Sequence, residues 1–290
     1  MALKNRMKWI AYAFVLPALI IFTISVIYPV IENFRISFYS WNGLSPMNPV
    51  GLTNYIQLFR DPDFINALKN TLVWTVTTTV IGVLFGTIIG ILCGLTDINT
   101  TVVRTAIFSS FGISATASGM IWLGVYQPDF GLMNAVLEAL GLPSLARPWL
   151  GDPNRALIYV IIAYAWTQTG FSMIIAYGAI SSIPQILYEA ALIDGGNSWQ
   201  ITRFITLPLI TNAIRLATFL TFLSSLKAFD LVFSMTGGGP IRSTEILGYF
   251  MYTDSFYYFK LGYGAASVII LLIAVFIIAI PVLLERSEKT

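Results

Sequence analysis

Two charged side chains interrupt an apolar stretch around residue 230 and are the first candidates for chemistry in this chain. Lys227 and Asp230 lie three positions apart, a spacing that puts both on one face of a helix, where they can pair. A Lys or Asp inside a membrane costs about 2.5–3.5 kcal/mol on insertion scales, and such residues face protein or water. The two residues therefore indicate either the lining of a polar path or a structural ion pair.

A second group of side chains suits a ligand that is rich in hydroxyl groups. Gln168 and Phe171 are three residues apart, so an amide and an aromatic ring share one side of a helix. Amides and hydroxyls hydrogen-bond the OH groups of a sugar, and aromatic rings cover its C–H faces. Hydroxyls on membrane helices also bond between helices, so structural roles stay open for this group.

The side chains on which most enzymes depend are missing or isolated. The chain has no histidine, and Cys93 is its one cysteine. The stretch Gly237, Gly238, Gly239, Pro240 is rich in glycine, yet it lacks the lysine of a phosphate-binding loop and opens no helix after a strand. We interpret it as a turn with backbone freedom at its glycines. The sequence thus predicts no catalytic residue and no metal site.

Residues 181–208 have more order than a simple connection needs. Pro184 suits the first turn of a helix, apolar residues recur at helical spacing over 186–193, and Gly195 provides a stop. Asn197 followed by Gln200 resembles a capping box and predicts a second short helix. The first helix is half apolar and has no basic residue, which is untypical of helices that lie on a bilayer. This segment is therefore predicted to dock on a protein.

The composition requires a membrane around the elements that carry these residues. Of the 290 residues, 57% are hydrophobic and 10% are charged, against about 25% charged in soluble domains. A net charge of +2 gives no reason to expect nucleic acid as a partner. Six charge-poor stretches can cross about 30 Å of hydrocarbon as helices: Trp9–Ile31, Thr71–Leu95, Thr105–Tyr126, Ala156–Ile180, Leu216–Phe233 and Leu261–Leu284.

The predicted fold is all-α, a single transmembrane domain over residues 1–290 with six spans. An even number of spans puts both termini on one side of the membrane. The cluster of Lys4, Arg6 and Lys8 abuts the first span, which we interpret as an uncleaved anchor, and positive charge there favours cytoplasmic termini. Residues 181–208 are then cytoplasmic, and the glycine-rich turn is external.

One stripe of small residues predicts a close contact between helices. Gly82, Gly86, Gly90 and Gly94 follow one another at four-residue intervals, so all lie along one side of the second span. Another helix can approach such a stripe closely. The contact serves either static packing or a sliding motion.

The cytoplasmic segment resembles the EAA loop of ABC-importer permease subunits. In that family the loop is the coupling helix, which sits in a groove of the cytoplasmic ATPase. The resemblance implies that role for seven matching residues: Glu189, Ala190, Ala191, Gly195, Ile205, Leu207 and Pro208. Asp194, which lies between them, is assigned to the same coupling segment.

A second motif resembles a narrower family. The motif consists of Thr236, the glycine-rich turn, Ser243 and Thr244. It is similar to a loop of carbohydrate-uptake permeases of the maltose and glycerol-3-phosphate type, specifically in the first of their two permease subunits. The resemblance implies the type I ABC importer transmembrane fold. The positions at which a maltose-type permease contacts its sugar fall here on Thr167, Gln168, Phe171 and Ser225.

These resemblances imply an inner-membrane subunit of a prokaryotic importer that moves a sugar or a glycerol-phosphate-like solute by alternating access. The implied partners are a second homologous permease subunit, two cytoplasmic ATPase subunits, an extracytoplasmic solute-binding protein and membrane lipid. ATP and Mg²⁺ would bind the ATPase subunits, so this chain is expected to hold no cofactor and to catalyse no reaction. The alternatives are an ABC permease for amino acids, peptides or an anion, and a secondary transporter or channel.

Overall fold

The computed structural model describes residues 12, 14–96 and 99–287, and helices dominate them. Two short antiparallel strands, β1 (Tyr39–Ser40) and β2 (Asn48–Pro49), form a hairpin. The helices are α1 (Phe14–Ile36), α2 (Thr53–Leu58), α3 (Pro62–Gly94), α4 (Thr101–Gly112), α5 (Ala115–Val125), α6 (Leu132–Ala139), α7 (Ala156–Ser181), α8 (Gln185–Ile193), α9 (Ser198–Leu226), α10 (Asp230–Met235), α11 (Leu247–Tyr252) and α12 (Leu261–Ser287).

The predicted all-α membrane fold is confirmed, whereas the count of six spans and the side of the termini stay predictions. Four described helices are long and apolar enough to cross a membrane: α1, α3, α7 and α9. Lys4, Arg6 and Lys8, on which the cytoplasmic termini were predicted, lie outside the described residues, as does the start of the first predicted span at Trp9.

The chain divides into two compact units. The first contains the residues up to Asp61 and those from Phe250 onward. In it α12 packs against α1 and α2, and Asn33 on α1 donates a hydrogen bond of 3.3 Å to the carbonyl of Ala265. Tyr263 on α12 donates a hydrogen bond of 2.6 Å to Asp61. These bonds join segments that are far apart in sequence.

The second unit, Pro62–Tyr249, is built on the pairing of α3 with α7. The predicted glycine stripe on α3 forms the contact. A Cβ atom built at each of its glycines would lie 2.5–2.8 Å from a side-chain carbon on α7, closer than real Cβ contacts allow. The facing residues on α7 also recur every four positions: Gln168, Ser172, Ala176 and Ile180. The two helices therefore approach one another along four consecutive turns.

The prediction of one continuous span over Thr105–Tyr126 is wrong, because α4 and α5 meet at an angle of 106°. Ile113 and Ser114 have extended backbone conformations with ψ of 138° and 147°. The Ser114 hydroxyl accepts a hydrogen bond from the Ala117 amide, which caps the new helix. A glycine at position 112 followed by this serine is a stop-and-start signal that hydropathy alone does not register.

The prediction of a span over Leu216–Phe233 is also wrong in its bounds. Helix α9 begins at Ser198 and ends at Leu226, and Asp230 starts the separate helix α10. The helix continues past Pro208 because a π-helical turn over Thr202–Thr206 precedes it. Such a turn changes the hydrogen-bond pattern where proline has no N–H to donate.

Candidate functional site

The predicted helix–turn–helix in residues 181–208 is confirmed in its local structure. Helix α8 ends at Ile193, and Gly195 follows with φ of +80°, a left-handed conformation that favours glycine. The Asn197 side chain accepts a 2.9 Å hydrogen bond from the Gln200 amide, and the Gln200 side chain accepts one of 2.9 Å from the Asn197 amide. This reciprocal capping box starts α9.

The surface of this segment combines apolar and acidic side chains. Ile186, Leu192 and Ile193 are exposed, Ile193 by 86%. Glu189 and Asp194 are also exposed, and neither has an ion-pair partner in the part of the chain that the structure describes. Exposed apolar side chains that cluster with polar ones mark interaction surfaces. The segment thus offers an acidic, apolar edge to a partner.

The remaining residues of the loop motif lie where α8 faces the start of α9. A hollow of about 290 Å³ there is lined by Ala191, Asp194, Gly195 and Ile205, together with exposed Phe204. Leu207 and Pro208 follow the π-helical turn and continue α9. The small residues at 191 and 195 leave the hollow open.

A second cavity, of about 400 Å³, lies at the C-terminal end of α9. Lys227 and Asp230 line it together with Tyr164 on α7 and Ser224 on α9, whose hydroxyls share a hydrogen bond of 3.2 Å. Leu220, Leu223, Phe229 and Leu231 contribute apolar surface. The cavity therefore combines two opposite charges, two hydroxyls and apolar walls.

Of the two alternatives for Lys227 and Asp230, the structure does not show the ion pair. No ion pair joins them among the described residues, because three residues leave the helix between Leu226 and Asp230. Lys227 instead caps the C-terminal end of α9, and Asp230 is the first residue of α10. A cation at a helix C-terminus and an anion in the first turn of a helix each interact favourably with the helix dipole. Each charge is thus stabilised without the other.

The positions that the maltose-type resemblance assigned to sugar contact are used in helix packing. The Thr167 hydroxyl donates a 2.7 Å hydrogen bond to the Tyr164 carbonyl, and Gln168 is buried against Gly82. The Ser225 hydroxyl accepts a 2.9 Å hydrogen bond from Thr78 on α3. The Phe171 ring packs 4.9 Å from that of Phe111. Their predicted role in substrate contact stays a prediction.

The glycine-rich turn joins α10 to α11 and has a defined conformation. Gly237 and Gly238 have φ of +54° and +77°, and the peptide before Pro240 is cis. The Thr244 hydroxyl donates a 2.7 Å hydrogen bond to the Gly239 carbonyl. Backbone freedom at the first two glycines is therefore required, as the sequence predicts.

The start of α3 holds the residues that follow this turn. Asn66 donates a 2.8 Å hydrogen bond to the Arg242 carbonyl, and Asn70 donates bonds of 3.1 and 2.9 Å to the Ser243 and Glu245 carbonyls. The Arg242 guanidinium lies 2.9 Å from the Asp63 carboxylate. These contacts connect the turn to the helix that carries the glycine stripe.

Over residues 86–289 the sequence matches the family described as the binding-protein-dependent transport system inner membrane component. The chain belongs to this family. It is 37% identical over 271 residues to a probable ABC transporter permease protein of Pyrococcus horikoshii, with 93% of each chain covered. It is 31% identical over 282 residues to the trehalose/maltose transport system permease protein of Thermococcus litoralis, covering 97% of this chain and 94% of that one.

The fold of this binding-protein-dependent permease is also that of a solved transporter. A chain in the crystal structure of a bacterial alginate ABC transporter, in complex with an alginate pentasaccharide-bound periplasmic protein, superposes with a TM-score of 0.83. The sequences are 23% identical, and 96% of this chain and 93% of that one are covered. The predicted permease family, importer fold and inner-membrane location are confirmed.

Tyr164, a residue of the permease cavity, was missed in the sequence, and Ser224 was not distinguished from the other hydroxyls of its helix. Tyr164 is buried one turn before Gln168, and Ser224 directly precedes Ser225. The hydroxyls of the helix around Ser224 are visible in the sequence, but their spacing does not say which of them faces an opening. Only the end of α9 at Leu226, and its position against α7, reveal the difference.

Proposed function

We propose that this permease is one of two transmembrane subunits of an ABC importer that moves a sugar across the inner membrane. The observation that carries the proposal is the continuity of α9. This helix begins at the capping box beside α8 and runs for 29 residues to the cavity. At 1.5 Å per residue it extends about 43 Å. It connects the surface that would meet an ATPase with the residues that would meet a solute.

The continuity suggests how a nucleotide signal would reach the cavity. When two ATPase subunits dimerise around ATP and Mg²⁺, each would displace the coupling helix seated in its groove. Displacement of α8 would tilt α9, because the Gly196 amide donates a 2.8 Å hydrogen bond to the Ala191 carbonyl and the Tyr188 and Thr206 hydroxyls share one of 3.4 Å. Ligand and ATP shift such an equilibrium only if they bind its two states with different affinity. Hydrolysis would belong to the ATPase subunits, and this chain would catalyse nothing.

A sugar is the substrate class that two kinds of observation favour. The Thermococcus relative is named for trehalose and maltose, and the turn at residues 236–240 resembles that of carbohydrate permeases. The cavity supplies hydroxyls at Tyr164 and Ser224 and an aromatic ring at Phe229, groups that bind polyols. A solute-binding protein outside the membrane would deliver the sugar, and a second, homologous permease subunit would complete the pore.

Uptake measurements with the assembled transporter test this function. Radiolabelled trehalose, maltose and lactose are supplied to proteoliposomes that contain the complete complex and its binding protein, with ATP enclosed or omitted and the ion gradient kept constant. Uptake that requires ATP and the binding protein is expected. Undiminished uptake without ATP would overturn the proposal, and uptake of amino acids or peptides in place of sugars would assign the permease to another substrate class.

A further inference from the structure

The opposite charges in the cavity at the end of α9 do not neutralise one another by contact. In the part of the chain that the structure describes, neither Lys227 nor Asp230 has an ion-pair partner, and both side chains are exposed to the cavity opening. We propose that they form a donor–acceptor site for adjacent hydroxyls of a neutral sugar and discriminate against acidic sugars. This inference rests on the proposed function and narrows its substrate class.

The break in the helix keeps the two charges apart and available. Ala228 and Phe229 separate them in an irregular stretch, with Ala228 buried and its amide bonded to the Ser225 carbonyl at 3.2 Å. Each charge interacts favourably with a helix dipole, so neither needs a direct counter-ion. An ammonium has three donors and no acceptor, whereas a carboxylate only accepts. One sugar hydroxyl can therefore accept from Lys227 while its neighbour donates to Asp230.

The rest of the lining is uncharged. Tyr164 and Ser224 contribute hydroxyls, and Leu220, Leu223 and Leu231 contribute apolar surface. The charges of the lining residues thus sum to zero. An acidic sugar would gain attraction from Lys227 but would meet Asp230 at similar range, so its carboxylate would lose hydration without a net electrostatic gain. A neutral sugar can use both charged groups.

The first experiment probes the charge of the cavity and needs no knowledge of the natural substrate. Leu223→Cys is made in a Cys93→Ala background of the complete transporter, and labelling rates are measured with anionic and cationic methanethiosulfonate reagents. Leu44→Cys, at an exposed site outside the cavity, supplies the reference ratio of the two rates. The proposal expects the two sites to give similar ratios.

Removing either charge should then shift that ratio in opposite directions. Asp230→Asn should speed the anionic reagent and slow the cationic one by about fourfold each, which changes the ratio by about sixteenfold, as for a unit charge about 10 Å away at an effective dielectric of about 40. Lys227→Gln should change the ratio by about as much in the other direction. A ratio that neither variant moves, or a strong bias towards one reagent before mutation, would overturn the donor–acceptor site.

The second experiment measures protection of the same cysteine. Millimolar trehalose, maltose or lactose should slow labelling of Leu223→Cys by a neutral methanethiosulfonate, whereas digalacturonate should not. Asp230→Asn should raise the sugar concentration needed by about tenfold, because a hydrogen bond to a charged group is lost. Co-purification of the partner subunits and the thermal unfolding midpoint show that each variant is assembled.

Two outcomes of the protection experiment would reject the inference. Equal protection by digalacturonate would remove the discrimination against acidic sugars, and no protection by any sugar would remove the site itself. In either case ATP-dependent sugar uptake could still hold. Absence of ATP-dependent uptake together with protection would instead reject the importer mechanism and leave the cavity assignment standing.

Discussion

Gly86 on α3 and Ser172 on α7 meet so closely that a Cβ atom at residue 86 would lie 2.5 Å from the Ser172 Cβ. The Ser172 side chain is fully buried there. The same relationship recurs one turn later, where a Cβ at Gly90 would lie 2.8 Å from that of Ala176. Glycine is therefore required at these positions for α3 and α7 to approach one another this closely.

Gly86→Ala should destabilise the permease. The added methyl group has to displace α7 backbone as well as side chain, and overpacking of this kind costs about 1–3 kcal/mol. The midpoint of thermal unfolding in detergent measures the loss. Gly178→Ala is the matched control, since a Cβ at that helical glycine would meet no atom within 4 Å. Equal stability of the two variants would contradict close packing along the stripe.

Glu189→Lys should uncouple the permease from its ATPase without preventing insertion. The change reverses the charge at the exposed edge of α8, which would face the groove of the ATPase subunit with an acidic side chain in the unmodified permease. We expect binding-protein-stimulated ATPase activity to fall at least tenfold, corresponding to about 1.4 kcal/mol. Glu138→Lys on α6, an exposed glutamate in a segment predicted to be external, is the control and should keep full stimulation. Normal stimulation of both would remove α8 as the coupling helix.

Ser224→Ala and Ser225→Ala should have different consequences although the residues are adjacent. The Ser224 hydroxyl lines the cavity, so its loss should raise the KM of uptake by about tenfold. The Ser225 hydroxyl bonds to Thr78 inside the bundle, so its loss should cost about 1 kcal/mol of stability and leave KM unchanged. Uptake kinetics and thermal unfolding of both variants decide the matter. A KM effect at Ser225 instead would support the maltose-type assignment of that position.

Asn70→Asp should loosen the residues that follow the glycine-rich turn. The substitution removes the NH₂ group that donates to the Ser243 and Glu245 carbonyls and places a carboxylate beside them. Amide hydrogen exchange over residues 240–246 should accelerate by about tenfold or more, as expected for the loss of about 1–3 kcal/mol. Asn154→Asp, at an exposed position on another loop, should leave exchange in this segment unchanged. Unchanged protection of residues 240–246 in Asn70→Asp would show that the hydrogen bonds from Asn70 do not stabilise this segment.

Local patterns were sufficient for much of this molecule. The predicted starts of α7 at Ala156 and of α12 at Leu261 are confirmed. Long apolar runs bounded by polar residues form helices in a membrane, because their backbone groups must be hydrogen-bonded internally. The stop at Gly195 and the cap at Asn197 are confirmed as well. Both depend on bonds between residues at most a few positions apart, which the order of amino acids already specifies.

The failures fall where the backbone leaves a helix inside an apolar run. The residues around Ile113 carry no charge, so hydropathy allowed an unbroken span there, and the charges at Lys227 and Asp230 were placed on one face of a continuous helix. At the first, a serine cap starts α5 in a new direction, and at the second, Lys227 and Asp230 terminate and start separate helices. The three-residue spacing implies pairing only in a continuous helix, so the ion-pair alternative does not hold once the helix is interrupted.

Composition, apolar length and a short motif are properties of neighbouring residues, so the order of amino acids was enough to predict a membrane permease with a helix–turn–helix at residues 181–208. Which polar groups face an opening depends instead on how the helices pack in the folded chain. Successive residues of a helix point about 100° apart. Ser224 therefore lies beside Tyr164 in the cavity, while Ser225 is buried against Thr78 on α3. The environments of the two serines depend on which helix packs on each side of α9, and the local sequence does not specify this.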